Sequence, residues 1–519
     1  MADEKLGTSA VRTRRAGHRK HTPHVRLGIE LRLDLVAGTT GAGLPASPSL
    51  GVRATTLNHE AFDDTMEGCA IIKALLGELL EILDVPGRDV GPKFEGKIAL
   101  GGGDYGQFFG GAHGWKKRPS PSRFPPASPH SSLFHLMPYF DHNATTPLAD
   151  CAREAWLRIQ TDNWHNPSSP TRAAARARIR LESYHEAVAI MLGGEPSHYI
   201  FNSGATEGAH AVLAHWAQKL PAQARIAVSA TEHACVLAAA GHYFPNRIDW
   251  LPHEGGGFVP PAAISNAIAA GAAGIVVMAA NNETGVLQPW PEIAAACQRA
   301  SVPYLCDATQ WLGKLPGAGL GSNNTWIIAS GHKFGAPKGV GFIKLPKSLP
   351  ELQKPGGGLQ QNGHRAGTED LASIAAFTAA LVEAEQKHVL WESQRLAWRD
   401  HFEKALLSSI PGLQVIGQQW ERLWNTSLLI VPCGTQSQWV TKLDKADFQI
   451  STGAACTAGK EGPSHVLAAL GLPAELARQA LRISSGWQTT EQDWQELQAI
   501  FQKTNHSIMT SIGFIEHKT

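Results

Sequence analysis

The chain has 519 residues, 43% apolar and 18% charged, with a formal net charge of +1. It is long enough to bury a sizeable core in about three domains or fewer, and its near-neutral charge gives no electrostatic reason to bind nucleic acid or an acidic membrane surface. The seven cysteines are scattered without a CxxC pair, which argues against a zinc ribbon or thioredoxin-type motif and suits a reducing compartment, and no run reaches the ~20 apolar residues of a membrane span.

The first 136 residues differ in texture from the rest. Asp3 and Glu4 come early, and no apolar core follows the basic residues between Arg12 and Arg26, so a secretory leader is not expected. Cytoplasmic residence is the expectation, with organelle import as the alternative. Residues 1–56 show little periodicity. Residues 59–84 fit one amphipathic helix, and KKRPSPSRFPPASPHSS that follows has linker composition. Disorder is the default reading for most of this extension.

Texture changes at Tyr139. Apolar runs HYIFN (198–202), RIAVSA (225–230), GIVVMAA (274–280), PYLCDA (303–308), TWIIAS (325–330) and VGFIKL (340–345) alternate with helical stretches such as 170–192 and 291–300. This predicts an α/β fold with a mostly parallel central sheet and helices on both faces. Ligands in such sheets sit at the carboxyl ends of strands. After about residue 385 a helix (383–408) leads into LQVIG (413–417), TSLLIVP (426–432) and WVTKLDKADFQIS (439–451), and another helix closes the chain. The expected division is a large domain over 153–385 and a smaller α/β domain over 139–152 and 386–512. No internal repeat is evident.

The polar motifs fall at strand ends. SGHKFGAPKG (330–339) follows a buried run, and Lys333 has small neighbours that would let an amine approach a carbonyl, as a Schiff-base lysine needs. Alone, it is an ordinary lysine of a Gly-rich turn. Asp307, in CDATQ, ends another apolar run, where a carboxylate is costly without a cation or several donors. A protonated pyridinium would be such a cation; capping the next helix is an equal alternative. Gly204, Ala205 and Thr206, in FNSGATEGAH, would offer backbone N–H groups to a phosphate; an ordinary N-cap by Ser203 or Thr206 is the simpler account. His233, in ATEHACV, could stack on an aromatic cofactor and move protons, or be a satisfied structural histidine. NNETG (281–285) holds Asn282 and Glu283, which would serve the site or merely form a turn. Together these groups match what one aldehyde cofactor needs.

At this point the sequence resembles the cysteine desulfurases of the nitrogen-fixation and iron–sulfur-cluster-assembly type, class V aminotransferases within the fold-type I enzymes of pyridoxal 5'-phosphate. The resemblance runs from YFDHNATTP (139–147) through NPSS (166–169), SGATE (203–207), TEH (231–233), NNETG, DATQ, SGHKFGAPKG, RAGTED (365–370) and STGAACTAG (451–459) to ALRISSG (480–486). It implies that Lys333 carries the cofactor and later moves the Cα proton. It implies that Asp307 faces the pyridine nitrogen, Gln310 bonds the phenolic oxygen and His233 stacks on the ring. Ala205, Thr206, Ser330 and His332 would hold the phosphate. Thr368 would reach the phosphate of the other subunit, so a homodimer is implied. Asn282 would lie beside cofactor and substrate, and Arg482 would grip the carboxylate of L-cysteine with its planar fork; a structural salt bridge is its other reading. Cys456 sits among Ser451, Thr452, Gly453, Ala454 and Ala455, where a structural cysteine gains little. By resemblance it attacks the substrate sulfur and becomes a persulfide, passed to an iron–sulfur scaffold or another sulfur acceptor. No metal is expected.

The sequence departs from the family at His165 before NPSS, at Pro170–Thr171 after it, at Ala209–His210 after SGATE, and at Glu461–Gly462–Pro463 in the cysteine loop. None removes a chemical group named above. Two competing readings remain: a selenocysteine lyase or other class V enzyme, which would not need Cys456, and a cofactor-binding scaffold without turnover, which would not keep His233, Arg482 and Cys456 together. The extension lies outside the resemblance, and Met137 directly precedes its start. The expectation is that translation begins at Met137, with a targeting or partner-binding arm as the alternative. Mass spectrometry of the native protein should then yield no peptide from residues 27–115; finding one overturns this reading.

Overall fold

The computed structural model describes residues 31–36, 49–54, 138–322, 324–347, 352, 357–452 and 464–511. The chain divides into two units, 1–120 and 121–519. In the first, β1 (Leu31–Val36) pairs antiparallel with β2 (Ser49–Ala54), with Leu31 opposite Ala54 and Val36 opposite Ser49. The sequence reading assigned no regular structure here. The signal it passed over is the alternation of Leu31, Leu33 and Leu35 with Arg32 and Asp34, the period of a strand with two unlike faces. The expected helix over 59–84 lies outside the described residues.

The second unit runs in this order: α1 (Asp150–Asp162), α2 (Arg172–Leu192), β3 (Tyr199–Asn202), α3 (Ala205–Lys219), β4 (Ile226–Ser229), α4 (Ala234–Tyr243), β5 (Ile248–Leu251), α5 (Pro261–Ala269), β6 (Ile275–Val276), α6 (Trp290–Ala300), β7 (Tyr304–Asp307), β8 (Trp326–Ser330), β9 (Gly341–Lys344), α7 (Leu371–Ser409), β10 (Gln414–Val415), β11 (Thr426–Ile430), α8 (Gln436–Asp444), α9 (His465–Ala469), α10 (Ala474–Ala477), β12 (Ala480–Ser484) and α11 (Glu491–Ser511). A seven-stranded sheet has the order β3-β9-β8-β7-β6-β4-β5. Its strands from β8 to β5 are parallel, whereas β9 runs antiparallel to both β8 and β3. The reversal has a simple cause. Only residues 331–340 join β8 to β9, too few for the crossover that a parallel neighbour requires.

Burial explains why the strands read as continuous apolar runs. Every residue of β3, β4, β7 and β9 is buried, because helices cover both faces of the sheet. One face packs Phe201, Ala227, Ile275, Cys306, Ile327 and Phe342, and the other packs Ile200, Val228, Val276, Leu305, Ile328 and Ile343. This is the period of a strand written across a whole sheet.

A three-stranded antiparallel sheet, β10-β11-β12, lies later in the chain. The segment before α1 joins it: Asp141 bridges Ser484, and Tyr139 bridges Gln449. Two elements differ from the sequence reading. WVTKL falls within α8, where the capping box of Thr435 and Gln438 starts a helix that buries Trp439 and Leu443. Helix α7 begins at Leu371, well before the predicted start at 383, because Asp370 accepts a hydrogen bond from the Ser373 N–H and caps it. Its first turns are buried on most sides, which hides helical periodicity.

Helix α7 is also fixed by charge. Glu403 is 3% exposed and accepts from both terminal nitrogens of buried Arg422, at 2.8 and 2.7 Å. Removing one partner of such a pair strands the other charge in the interior. Glu403→Ala should lower the unfolding free energy by ~3–5 kcal/mol, measured by urea denaturation; a loss within the range of an exposed pair would refute this account.

Candidate active site

One cavity opens where the strands of the large sheet end, and the predicted residues meet there. Ala205, Thr206, His233, Asn282, Asp307, Gln310, Ser330, His332, Lys333 and Arg482 all line it. Thr368 is exposed and is not among the lining residues. Cys456 lies outside the described residues. Asn143, Ala144, Cys235, Met278, Ala280 and Thr309 complete the lining; these were not predicted, although Asn143 and Ala144 stand inside the DHNATTP motif.

Strand ends deliver most of the polar groups. Asp307 is the last residue of β7, 5% exposed, and its Oδ1 accepts from the Thr309 N–H at 2.9 Å. It therefore shapes its own turn and faces the cavity as well. Ser330 ends β8, and its Oγ accepts from the Ala205 N–H at 2.8 Å, tying the first turn of α3 to the lysine-bearing loop. The cap of α3 is Gly204, not the side chain of Ser203 or Thr206. Gly204 has φ of +136°, and a Cβ there would come within 2.9 Å of Ser330 Oγ. Glycine alone satisfies both demands.

Lys333 sits in a short turn (Gly331–Lys333) after β8. Its Nζ donates to the carbonyls of Asn143 at 2.7 Å and Ala144 at 2.6 Å. His332 Nδ1 meets Thr145 Oγ1 at 3.1 Å. Burial first, and the Lys333 charge next, lower the His332 pKa to about 4, so the imidazole is neutral at physiological pH. His233 caps α4 through Nδ1, which accepts from the Cys235 N–H at 3.2 Å and lies 3.0 Å from Cys235 Sγ. The backbone N–H can only donate, so Nδ1 is the acceptor nitrogen. Arg482 is 2% exposed; it donates to Asp141 Oδ1 at 2.6 Å and to the Asn282 carbonyl at 3.2 Å. The structural salt bridge foreseen as its alternative reading thus exists, and it aims the same guanidinium that lines the cavity.

Two buried carboxyls stand behind this lining. Glu232 is fully buried; its Oε1 accepts from the Met278 N–H at 2.7 Å, and its Oε2 has no partner. Burial first, and the neighbouring Asp307 charge second, raise its pKa to about 8. Glu283 is raised to about 7 by burial, opposed by the Ser464 hydroxyl that donates to it at 2.6 Å and by Arg482. Among the described residues no cluster of three His, Cys, Asp or Glu side chains could hold a metal, and no helix is long and apolar enough to cross a membrane.

The donor set suits pyridoxal phosphate. A carboxylate that can pair a pyridinium (Asp307) shares the cavity with an amine (Lys333) and with hydroxyl, imidazole and helix N-terminal donors for a phosphate (Thr206, Ser330, His332, Ala205). Two buried lining atoms, Asn282 Oδ1 and Thr309 Oγ1, have no hydrogen-bond partner, which is costly unless a ligand supplies one.

The aminotransferase class-V family model matches residues 138–497. Among curated relatives, a cysteine desulfurase of Cereibacter sphaeroides is 36% identical over 360 residues, 68% of this chain and 91% of the relative. An IscS-like cysteine desulfurase of Mycobacterium tuberculosis is 33% identical over 369 residues, 69% of this chain and 93% of that one. Among solved structures, a NifS-like protein aligns with a TM-score of 0.65 at 25% identity, covering 73% of this chain and all of that one. The structure titled SspA in complex with cysteine aligns with a TM-score of 0.59 at 27% identity, covering 67% and 98%.

A buried neutral acid has a pH signature. Because the Glu232 pKa is raised above its unfolded value, the unfolded state alone ionises between about pH 4.5 and 8, and stability present below that window is lost across it. Glu232→Gln keeps an oxygen for Met278 and cannot ionise. Denaturant titrations at pH 5 and 8.5 should show the variant gaining a few kcal/mol relative to the parent at the higher pH only. Equal differences at both values would show that Glu232 is not held neutral.

Proposed function

We infer how this site works from one premise: the chain belongs to the aminotransferase class-V family and, within it, to the cysteine desulfurases. It removes sulfur from L-cysteine, leaving L-alanine. The observation that carries the residue assignments is the meeting of Lys333, Asp307, His233 and Arg482 around one cavity.

In this reading Lys333 would hold pyridoxal 5'-phosphate, Asp307 would pair its pyridine nitrogen and Gln310 would donate to its phenolic oxygen. His233 would stack on its ring. Ala205, Thr206, Ser330 and His332 would hold the phosphate, joined by Thr368 from the other subunit of a homodimer. The bound cofactor supplies an electron sink for the charge left at Cα when its proton departs. Arg482 and Asn282 seat L-cysteine by its carboxylate and α-carbon. Lys333 would move the Cα proton of the substrate. His233 assists proton movement at the substrate thiol. The thiolate of Cys456 then attacks the substrate sulfur. A new S–S bond forms on Cys456 as the C–S bond breaks, and the electron pair and a proton stay with what becomes alanine. The persulfide passes to an iron–sulfur scaffold or another sulfur acceptor in the cytoplasm.

The solved relative titled as a complex with cysteine supports this choice of substrate. A selenocysteine lyase is the second reading, favoured only if Cys456 proves dispensable. Purified protein should turn yellow with pyridoxal phosphate and release alanine from L-cysteine in the presence of a reductant. Cys456→Ser should keep the colour and lose at least about a hundredfold in alanine formation, the scale expected when a nucleophile is removed. Full activity in Cys456→Ser rejects the desulfurase assignment of this thiol. Arg482→Lys, which replaces a planar fork by a point charge, should raise KM for L-cysteine about tenfold, equal to ~1.4 kcal/mol of binding; an unchanged KM would leave Arg482 as a purely structural partner of Asp141.

A further inference from the structure

Four residues beyond Gln310, the described chain buries a lysine that the mechanism above does not use. Lys314 is 4% exposed. Its Nζ donates to Gln310 Oε1 at 2.9 Å and to the Gln310 carbonyl at 3.3 Å. It pairs with no carboxylate among the described residues; the charged groups that act on it are Lys333 and Arg482, both cationic. A buried ammonium without a counter-ion is expensive, so the position is not explained by packing alone. On the other side, Gln310 Nε2 donates to the Asn143 carbonyl at 3.0 Å. That same carbonyl accepts from Lys333 Nζ at 2.7 Å.

The orientation of the Gln310 amide follows from these neighbours. Burial, and then the Lys333 and Arg482 charges, lower the Lys314 pKa to about 7; in its ammonium form it only donates, so the end of the amide that faces it is oxygen, as in the 2.9 Å bond to Oε1. A carbonyl only accepts, so the end that faces Asn143 must be the NH2 group. Of the two N–H bonds on Nε2, one goes to Asn143, and the other remains for a ligand in the cavity that Gln310 lines. Were the oxygen turned to the cavity instead, it would repel an anionic oxygen there.

We propose that Lys314 is a positioning residue: it fixes the flip of the Gln310 amide, so that this side chain presents a donor to the phenolic oxygen of the cofactor. The proposal rests on the assignment of Gln310 made above. Lys314 touches neither cofactor nor substrate in this account. It acts through Gln310.

The test reads the bound cofactor by its visible absorption, not by turnover. With pyridoxal phosphate bound to Lys333, the pH at which the band changes reports how tightly the lysine nitrogen keeps its proton. Losing the donor to the phenolic oxygen lets that proton stay to higher pH. Lys314→Met should therefore raise the midpoint by about one pH unit, a tenfold change in proton affinity. Gln310→Leu should raise it too, and the double variant should match Gln310→Leu within error. A wild-type midpoint in Lys314→Met overturns the proposal, as does a double variant whose shift is the sum of the two single shifts. Should Lys314→Met not fold, Lys314→Gln, which keeps a donor toward Gln310 without the charge, decides: a midpoint near the parent supports the proposal, and one at the Gln310→Leu value overturns it. If the parent protein itself binds no cofactor, the assignment of the whole site fails, and that outcome is distinct from either.

Discussion

The site depends on one strap of backbone, residues 141–146, laid across the mouth of two sheets. Asp141 receives Arg482, and the Asp141 backbone bridges Ser484 of β12. The carbonyls of Asn143 and Ala144 receive Lys333, and the Asn143 carbonyl also receives Gln310. The Asn143 side chain donates to Thr426 Oγ1 at 2.8 Å and to the Asn282 carbonyl at 3.2 Å, while its Oδ1 accepts from Asn425 at 3.1 Å. Thr145 meets His332, and Thr146 bonds both the His332 carbonyl and the Gly335 N–H. These groups are buried or half-buried, and a buried polar group left unpaired is costly. The strap therefore cannot move without opening a whole network, and the lysine, the guanidinium and the amide are held in one frame.

That frame also explains the charge states around it. Burial is the first cause of the shift at Glu232, Glu283, Lys314 and His332, and in every case it disfavours the charged form. A dry wall of this kind strengthens the remaining charges inside the cavity. Neutral Glu232 leaves Asp307 as the acid that a cationic ring would meet. Neutral His332 can offer a donor to an anion without adding a second cation beside Lys333.

Much of this was legible in the sequence, because strand ends and motifs coincide. Asp307 and Ser330 each close a short apolar run that only a sheet buried on both faces explains, and Lys333 follows directly. The reading was weaker where a residue works through backbone. Asn143 stands within a motif, yet nothing in a sequence says that its carbonyl, not its side chain, faces the amine. Lys314 looks like any loop lysine until its burial is known. Strand β5 was missed because Asp249 and Trp250 are exposed at the sheet edge, so its apolar pattern is broken. The paired strands at 31–36 and 49–54 were passed over amid arginines and threonines. Helix α7 was started late because a helix buried on most sides carries little periodicity. His233, Arg482 and Asp307 each cap, pair or turn the chain and also line the cavity, so their structural bonds do not take them away from it.

The two described ends of the segment that carries Cys456 belong to the same frame. Ser451 exchanges two backbone hydrogen bonds with Arg482, at 3.1 and 2.8 Å. Ser464 caps α9 and donates to Glu283 at 2.6 Å, and His465 Nε2 meets the Glu232 carbonyl at 2.8 Å. The described chain thus stops before Cys456 next to the strand partner of Arg482, and resumes beside the acids Glu232 and Glu283. Both described ends are anchored on residues that line the cavity or stand directly behind it.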